Sequence, residues 1–536
     1  MIFGYLLMFS LFITLFLKTK RSLHMLQQNL YNENNRFIKW LFKNIRQFAS
    51  VEVLFVIFSL IGVFVIYDLE KITYLCYFLM IVVSLIDAYV WYRVISTDQN
   101  KKPLVVTKRI KRLIFTITIL YLIPGIIYVR NIGNLKLGWI LLLVISMMVY
   151  LNQLVVLLAN IINKPVEKLV YFYYKNKAKS KLSSMNNLKV IGVTGSYGKT
   201  SSKNILSSIL NIKYNALATP KNLNTYYGLM MTINNNLDKF TDIFIAEMGA
   251  YVRGEIKELC DFVKPKYGIL TRIGTAHLET FGSEENIVKA KFELIESLPS
   301  DGFAVLNGDD NKQVNYKLKN KVRTIWIGID NKDVDYLASN IKCSNKGTSF
   351  KIYFKSLDKS YDFQTKLLGT HNVYNILAAV ACGVEFGISP DELVMAVKMV
   401  RPTEHRLELK KLGSFYQIDD AYNSNPIGAS NACKVLKMMP GIKVVVTPGM
   451  VELGDREEYY NREFGKEIAK VADYAILIGE KKTKPIYEGL LTSGFDKDNI
   501  VVFNDVRKAY TFINTLTGDK DVYALFENDL PDTYNE

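Results

Sequence analysis

The first 165 residues are patterned unlike the rest of the chain. Five apolar stretches, at about 2–17, 51–67, 72–92, 113–129 and 137–162, have the length and hydropathy of membrane-spanning helices. The first lacks the basic leader and small-residue cleavage site of a signal peptide, and further stretches follow it, so it reads as a retained helix. From residue 188 the pattern shortens. Leu188–Thr194 reads as a buried strand, a glycine turn follows, and a helical period begins near Ser201. Farther on, the strand-like runs 443–447, 474–478 and 499–503 alternate with helical stretches. That alternation predicts a parallel sheet with crossover helices, which places ligands at the carboxyl ends of its strands. The expected division is a membrane domain over 1–165, a connector over 166–187, a nucleotide-binding α/β domain over 188–400 and a second α/β domain over 401–536.

Charge adds a direction to this pattern. The chain has 536 residues, 22% of them charged, and a net charge of +16. Lys18, Lys20, Arg21, Arg36, Lys39, Lys43 and Arg46 follow the first stretch, and Arg93, Lys101, Lys102, Lys108, Arg109, Lys111 and Arg112 lie between the third and fourth. The two other loops hold only Lys71, Arg130 and Lys136. The positive-inside rule then puts the N-terminus outside and both basic loops in the cytoplasm. Five crossings leave the domains after residue 162 in the cytoplasm too, in a multi-pass protein of the cell membrane. Basic residues beside spans face anionic headgroups, so the charge requires no nucleic acid, and no motif for one is present. Residues 166–187 read as a basic, aromatic connector on the membrane surface. The five cysteines show no paired or metal-ligand spacing, in keeping with a reducing compartment. Asp87, Asn152 and Gln153 fall within or near spans. Such residues are functional candidates, but the preferred reading here puts Asp87 close to the inner interface and has Asn152 and Gln153 bond between helices.

The glycine turn carries the clearest chemistry. Thr194-Gly195-Ser196-Tyr197-Gly198-Lys199-Thr200, followed by Ser201, sits between a strand and a helix start. There, backbone N–H groups surround phosphate. Lys199 would neutralise the outer phosphates of ATP, and the Thr200 hydroxyl would bind Mg²⁺. The loop is shorter than the usual phosphate loop, with Val193 where that pattern has its first glycine.

This short loop resembles that of the Mur ligase superfamily, which builds the peptides of peptidoglycan for cell wall biogenesis. An ordered set of further motifs strengthens the resemblance. It comprises Glu247-Met-Gly-Ala, Thr271-Arg-Ile-Gly-Thr-Ala-His277, Ala290-Lys291-Phe-Glu293 and Asn307-Gly-Asp309-Asp310. It continues with Gly369-Thr-His-Asn372-Val-Tyr-Asn375, Arg406-Leu-Glu408, Asp419-Asp420-Ala-Tyr-Asn423-Ser-Asn425-Pro426 and Gly449-Met-Val-Glu452. The set most resembles the type that adds D-alanyl-D-alanine to UDP-N-acetylmuramoyl-tripeptide. The resemblance implies a phosphate-loop central domain, a Rossmann-like C-terminal domain and an ATP-dependent amide ligase. Such an enzyme turns a carboxylate into an acyl phosphate, which an amine then attacks.

It implies roles as well. Thr200 and Glu247 would hold one Mg²⁺ and His277 a second, with Lys291, carbamylated by CO₂, in support. Arg406 would meet the charge developing on the transferred phosphoryl group. Asn307, Asp310, Asn372 and Asn375 would face adenine and ribose, and Asp420 the ribose or the metal. Surface placement of Arg406 and helix capping by the two asparagines are the structural alternatives. His371 and His405 are expected to be structural.

Two features depart from the family. Apolar stretches occupy the place of its soluble N-terminal substrate domain, which favours a membrane-bound carboxylate acceptor, such as a lipid-linked envelope precursor, over a diffusing UDP-sugar peptide. The family's basic loop near the C-terminus is replaced by Glu527, Asp529 and Asp532. That change suits a cationic amine donor or, equally, an exposed acidic tail. A ligase of poly-amino-acid capsules and a non-catalytic ATP-binding scaffold are the competing readings. The second should lack one of Lys199, Glu247, His277, Lys291 or Arg406, and all five are present.

Overall fold

The computed structural model describes residues 2–44, 51–66, 70–97, 103–275, 278–422, 424–451, 453–518 and 520–529. The chain forms two compact units, Met1–Tyr173 and Tyr174–Glu536.

The first unit is helical. Ile2–Gln28, Ile72–Ser96 and Lys108–Arg130 are long and apolar enough to cross a membrane. Phe9, Phe12, Phe16 and Phe115 on them are exposed, as lipid-facing side chains would be. The other two expected spans differ. The stretch at 51–67 is the short helix Val53–Ile61 continued by a wide helical turn, Gly62–Ile66. A Cβ at Gly62 would lie 2.2 Å from the Trp139 ring, so only glycine admits that indole. The stretch at 137–162 is two helices, Leu135–Tyr150 and Asn152–Ser183, bent by 84°. The second runs on through most of the expected connector.

The bend has a polar cause. Lys18 Nζ accepts no bond but donates to the carbonyls of Val149 (2.9 Å) and Tyr150 (3.0 Å), and the Tyr121 hydroxyl donates to that of Met148 (2.8 Å). These are carbonyls that a helix end leaves without a partner. Asn152, the first residue after the break, accepts from Ser22 Oγ and donates to Thr19 Oγ1 and to the Tyr121 hydroxyl. Asn152 thus bonds between helices, as the packing reading expects. Lys18 also pairs with Glu52, which accepts from Trp91 Nε1 at 3.0 Å. Both charged residues are 1% exposed. Asp87 and Gln153 are buried with them in this unit, and Asp87 Oδ2 and Gln153 Oε1 have no hydrogen-bond partner among the described residues.

The second unit holds two sheets. The first joins β1 (Lys189–Thr194), β2 (Ala216–Ala218), β3 (Ile243–Glu247), β4 (Tyr267–Leu270), β5 (Phe303–Asn307), β6 (Arg323–Gly328), β7 (Tyr336–Ser344), β8 (Gly347–Phe354) and β9 (Lys359–Thr365). Among the described residues its order is β2-β3-β1-β4-β5-β6-β7-β8-β9. It is parallel from β2 to β7 and antiparallel beyond. Ile191, Val193, Ile243, Ile245 and Ile269 form its core with the helices Lys199–Leu210 and Thr370–Glu385. The strands are apolar on both faces because helices cover both. On the opposite face, Leu294 of the helix Glu284–Glu296 approaches β1, where a Cβ at Gly192 would lie 2.5 Å from it.

The second sheet joins β10 (Glu408–Leu412), β11 (Phe415–Asp420), β12 (Ile442–Thr447), β13 (Tyr474–Ile478), β14 (Ile500–Phe503) and β15 (Val522–Glu527) in the order β10-β11-β15-β12-β13-β14. Only β10 runs antiparallel to its neighbour among these pairs. The three strands expected from the sequence are β12, β13 and β14. The edge strand β10, its neighbour β11, and β15 between β11 and β12 are not among the strands expected from the sequence. Parallel β11 and β15 put Asp420 and Glu527 in register at their carboxyl ends.

Removing one partner of a buried ion pair leaves the other charge unpaired, at a cost of about 3–5 kcal/mol. Lys18→Met is therefore expected to destabilise the first unit. The double variant Lys18→Met/Glu52→Leu should recover much of the loss, as read by thermal unfolding in detergent.

Candidate active site

The carboxyl ends of β1, β3, β4 and β5 open on a cavity of about 660 Å³, closed on its far side by residues of the second sheet's domain. Its wall includes Ser196–Ser202, Glu247, Asn307 and Asn375 from the first domain, and Arg406, Asp420 and Tyr422 from the second.

The glycine turn wraps the start of the helix Lys199–Leu210, whose N-cap is Gly198 at φ 80°. The N–H groups of this first turn have no intrahelical partner, and they carry the positive end of the helix dipole. Gly195, at φ 147°, leaves no room for a side chain, since a Cβ would lie 1.9 Å from Thr271 Oγ1. Thr271 in turn donates to the carbonyl oxygens of Tyr197 (2.7 Å) and Thr194 (3.1 Å). Thr194 lies behind the turn and donates to the Met248 carbonyl at 2.8 Å. Lys199 Nζ folds back onto the carbonyls of Gly195 (2.7 Å) and Ser196 (3.1 Å). Burial, partly offset by Glu247, lowers its pKa to about 8, with Arg406 adding to the lowering.

Glu247 ends β3 and is 1% exposed. Its carboxylate accepts from the Thr200 hydroxyl at 3.1 Å on each oxygen and from Asn224 Nδ2 at 3.0 Å. It also pairs with Lys203 Nζ at 2.9 Å. One carboxylate and one hydroxyl are oxygen donors that suit Mg²⁺, which takes few protein ligands beside phosphate. Among the described residues no group of three or more His, Cys, Asp or Glu side chains is placed to hold a metal. His277 lies outside the described residues, as do Asn423, Glu452 and Asp532.

Lys291 is 3% exposed on the helix Glu284–Glu296, with its Nζ 5.4 Å from the centre of the Phe281 ring. Burial first, and Lys199 second, lower its pKa to about 7. Its side chain is therefore turned inward and does not face solvent. Glu293, two residues on, accepts from the N–H groups of Gly254 (2.7 Å) and Lys257 (3.0 Å) and so caps the helix Glu255–Val263.

The asparagines divide. Asn375 is on the cavity wall, accepts from Ser202 Oγ at 2.7 Å and donates to Asn372 Oδ1 at 3.1 Å. Asn372 turns back to the Leu368 carbonyl and is not on the wall. Asn307 is on the wall. Asp310 is not. Its oxygens accept from the N–H groups of Ile273 and Lys312 and from Gln313 Nε2, so it ties the turn after β4 to the turn after β5. His405 bonds Asp419 at 2.8 Å, a structural contact. His371, also expected to be structural, stands on the cavity wall, where burial lowers its pKa to about 4 and keeps it neutral.

The second domain adds cation and acid together. The Arg406 guanidinium lies 4.2 Å from the centre of the Tyr422 ring, so it faces the cavity rather than the surface. Burial raises the pKa of Asp420 to about 6, against the pull of Arg406. Glu527 is fully buried. Burial first and Asp420 second push it well above the usual carboxyl range, and it accepts from Ser424 Oγ at 2.6 Å. It is therefore neither an exposed tail nor a free negative charge. Asp529 is exposed.

Sequence reasoning passed over Lys203, Asn224 and Tyr422. Lys203 did leave a signal, because it lies one turn after Lys199 on a helix whose neighbours Ile205 and Leu206 are core residues.

The middle-domain model of the Mur ligases matches residues 193–383, and the Mur ligase glutamate ligase domain matches 405–526. The chain is 35% identical over 316 residues to the UDP-N-acetylmuramoyl-tripeptide–D-alanyl-D-alanine ligase of Bacillus subtilis, covering 58% of this chain and 67% of that one. The chain belongs to the Mur ligase family. The enzyme of the same name from Escherichia coli is 33% identical over 55% of this chain and 65% of its own length. The chain thus spans about two thirds of these relatives. A MurF ligase from Thermotoga maritima, solved in complex with ADP, superposes with a TM-score of 0.59 at 26% identity, covering 66% of this chain and 79% of that one.

Because the turn at Gly195 leaves no room for a side chain, Gly195→Ala should displace Thr271 and destabilise the protein by about 1–3 kcal/mol. Thermal unfolding of the full-length protein in detergent measures this.

Proposed function

We propose that the protein is an ATP-dependent peptide ligase of the MurF type. The observation that carries the reading is the shared cavity. A phosphate-binding turn and a hydroxyl–carboxylate pair face Arg406 and Asp420 of a second domain across one space. The ADP-bound relative and the two curated ligases support it.

In this reading the turn and Lys199 hold the outer phosphates of ATP. Thr200 and Glu247 would hold Mg²⁺, which would neutralise charge on those phosphates. The acceptor carboxylate attacks the γ-phosphorus and expels ADP. The amine then attacks the acyl carbon, expels inorganic phosphate and loses its proton to solvent as the amide forms. Arg406 stabilises the charge that develops on the phosphoryl oxygens. Asn307 and Asn375 face the nucleoside. Asp310 and Asn372 act one layer behind, by fixing the turns that carry the wall. Lys291 is the carbamate-forming lysine. An amine with a pKa near 7 has a substantial neutral fraction at cellular pH, and only the neutral amine adds to CO₂.

The relatives' names point to a muramoyl-peptide acceptor and a D-alanyl-D-alanine donor. We take that acceptor chemistry as the first reading. A membrane-bound form of the acceptor is the second, favoured by the three apolar helices that precede the ligase domains. Tethering beside a membrane-bound substrate raises its effective concentration. In that arrangement the first unit is a multi-pass anchor, and the ligase domains are cytoplasmic. Both basic loops then share one side if the chain crosses twice between them, through Val53–Ile66 and through Glu70–Thr97.

The decisive assay offers purified protein ATP with UDP-linked and lipid-linked muramoyl peptides, and D-alanyl-D-alanine or single amino acids as donors. Mass spectrometry then identifies which product gains an amide. Lys199→Ala should reduce amide formation by at least about a thousandfold while the protein stays in the membrane fraction; ligase turnover near the wild-type rate would remove the site assignment. For Lys291, activity at limiting CO₂ should rise with pH through about 7, as the ammonium loses its proton. Lys291→Ala should be inactive and regain part of its rate with short carboxylic acids, which supply the missing anion. A flat CO₂ response together with no rescue would eliminate the carbamate.

A further inference from the structure

Lys203 is the buried cation that the proposed mechanism leaves without a task. It is 0% exposed, sits one turn after Lys199 on the same helix, and is not on the cavity wall. Its Nζ reaches Glu247 Oε2 at 2.9 Å and the Lys221 carbonyl at 2.5 Å. Lys221 belongs to the loop after β2 that also carries Asn224, the other side chain on Glu247. The carboxylate proposed to bind metal is thus already charge-neutralised, and both of its oxygens already accept bonds from Thr200.

We propose that Lys203 is the resident counter-ion of Glu247 and makes capture of a divalent cation at this carboxylate depend on bound nucleotide. The inference rests on the ligase reading above. A bare divalent cation approaching Glu247 meets an ion pair of zero net charge, and among the described residues no group of three or more His, Cys, Asp or Glu side chains is placed to hold it. Mg²⁺ gives up its waters reluctantly and binds where one or two carboxylates act together with phosphate oxygens. The lysine cancels what a single carboxylate offers, so the phosphates must supply the remaining negative charge. Metal then arrives with the nucleotide or after it. Lys203 is a positioning residue here, because it acts through Glu247 and touches neither substrate nor phosphate. A lysine placed only for packing would change stability and leave the order of binding alone.

The test uses full-length protein in detergent and Mn²⁺ as the probe, with free Mn²⁺ followed by electron paramagnetic resonance, with and without ADP. Wild type should show saturable Mn²⁺ binding only when ADP is present. Lys203→Gln, whose amide can still donate to Glu247 or to the Lys221 carbonyl, should bind Mn²⁺ without nucleotide at least about tenfold more tightly than wild type, because a positive charge beside the carboxylate has gone. Lys203→Met should do the same, Lys203→Arg should behave as wild type, and Glu247→Gln should abolish the gained site. Two results overturn the inference while leaving the ligase reading intact. One is a Lys203→Gln protein that binds ADP and takes up no Mn²⁺ alone. The other is a wild-type protein that takes up Mn²⁺ alone at a site lost in Glu247→Gln, a result that needs no Lys203 variant to fold. A wild type that binds no ADP overturns the ligase reading and this inference with it. ADP binding with unchanged metal order overturns this inference alone.

Discussion

A carboxylate with almost no access to water has to be met by donors, and much of the second unit is arranged around that requirement at Glu247. The groups that meet it come from separate segments: Thr200 and Lys203 from the helix after β1, and Asn224 from the loop after β2. Burying a charge without such partners is costly enough that the segments must come together for the fold to be stable. The same contacts fix the first turn of the helix Lys199–Leu210 against the end of β3. They therefore fix where the helix N-terminus points, and with it the place where a phosphate can sit. The first unit solves a similar problem differently. There Lys18 meets both Glu52 and the carbonyls freed by a helix break, so one ammonium serves a charge and a chain end together.

How much of this was legible in the sequence follows from how local each cause is. The glycine turn between β1 and the helix Lys199–Leu210 was, because a strand, two glycines at positive φ and a helix start lie within a dozen residues. The strands β12, β13 and β14 were, because each is a short apolar run between helical stretches. The bend at Leu151 was not. No proline or glycine marks it, and its partners Lys18, Thr19, Ser22 and Tyr121 are tens of residues away in the chain. A hydropathy window sees only the apolar count, which runs on unbroken through 137–162.

The site shows the same division. Motif position put Asp310 and Asn372 beside the nucleotide, as neighbours of Asn307 and Asn375. Yet a side chain next to a site can point into it or into the turn that holds it, and spacing does not distinguish the two. Asp310 points into the turn because the N–H groups of Ile273 and Lys312 are there to be satisfied. For Glu527, composition gave an acidic C-terminus, but only the register of β11 against β15 places it beside Asp420. Two adjacent buried carboxyls do not both ionise readily, so the pair carries less negative charge than its residues suggest.

That last point bears on the amine donor. An acidic loop in place of a basic one suggested a subsite for a cation. With Glu527 enclosed and its pKa pushed up by burial and by Asp420, the charge facing the cavity there is mainly that of Asp420, and Arg406 stands close enough to lower its pKa. The wall near these residues is thus close to balanced in charge. A donor with a free carboxylate, such as a dipeptide, is then not repelled by Glu527. The departure from the family at the C-terminus consequently leaves the D-alanyl-D-alanine donor of the relatives compatible with this cavity. The departure at the N-terminus, where helices precede the ligase domains, becomes the stronger reason to look for a different acceptor.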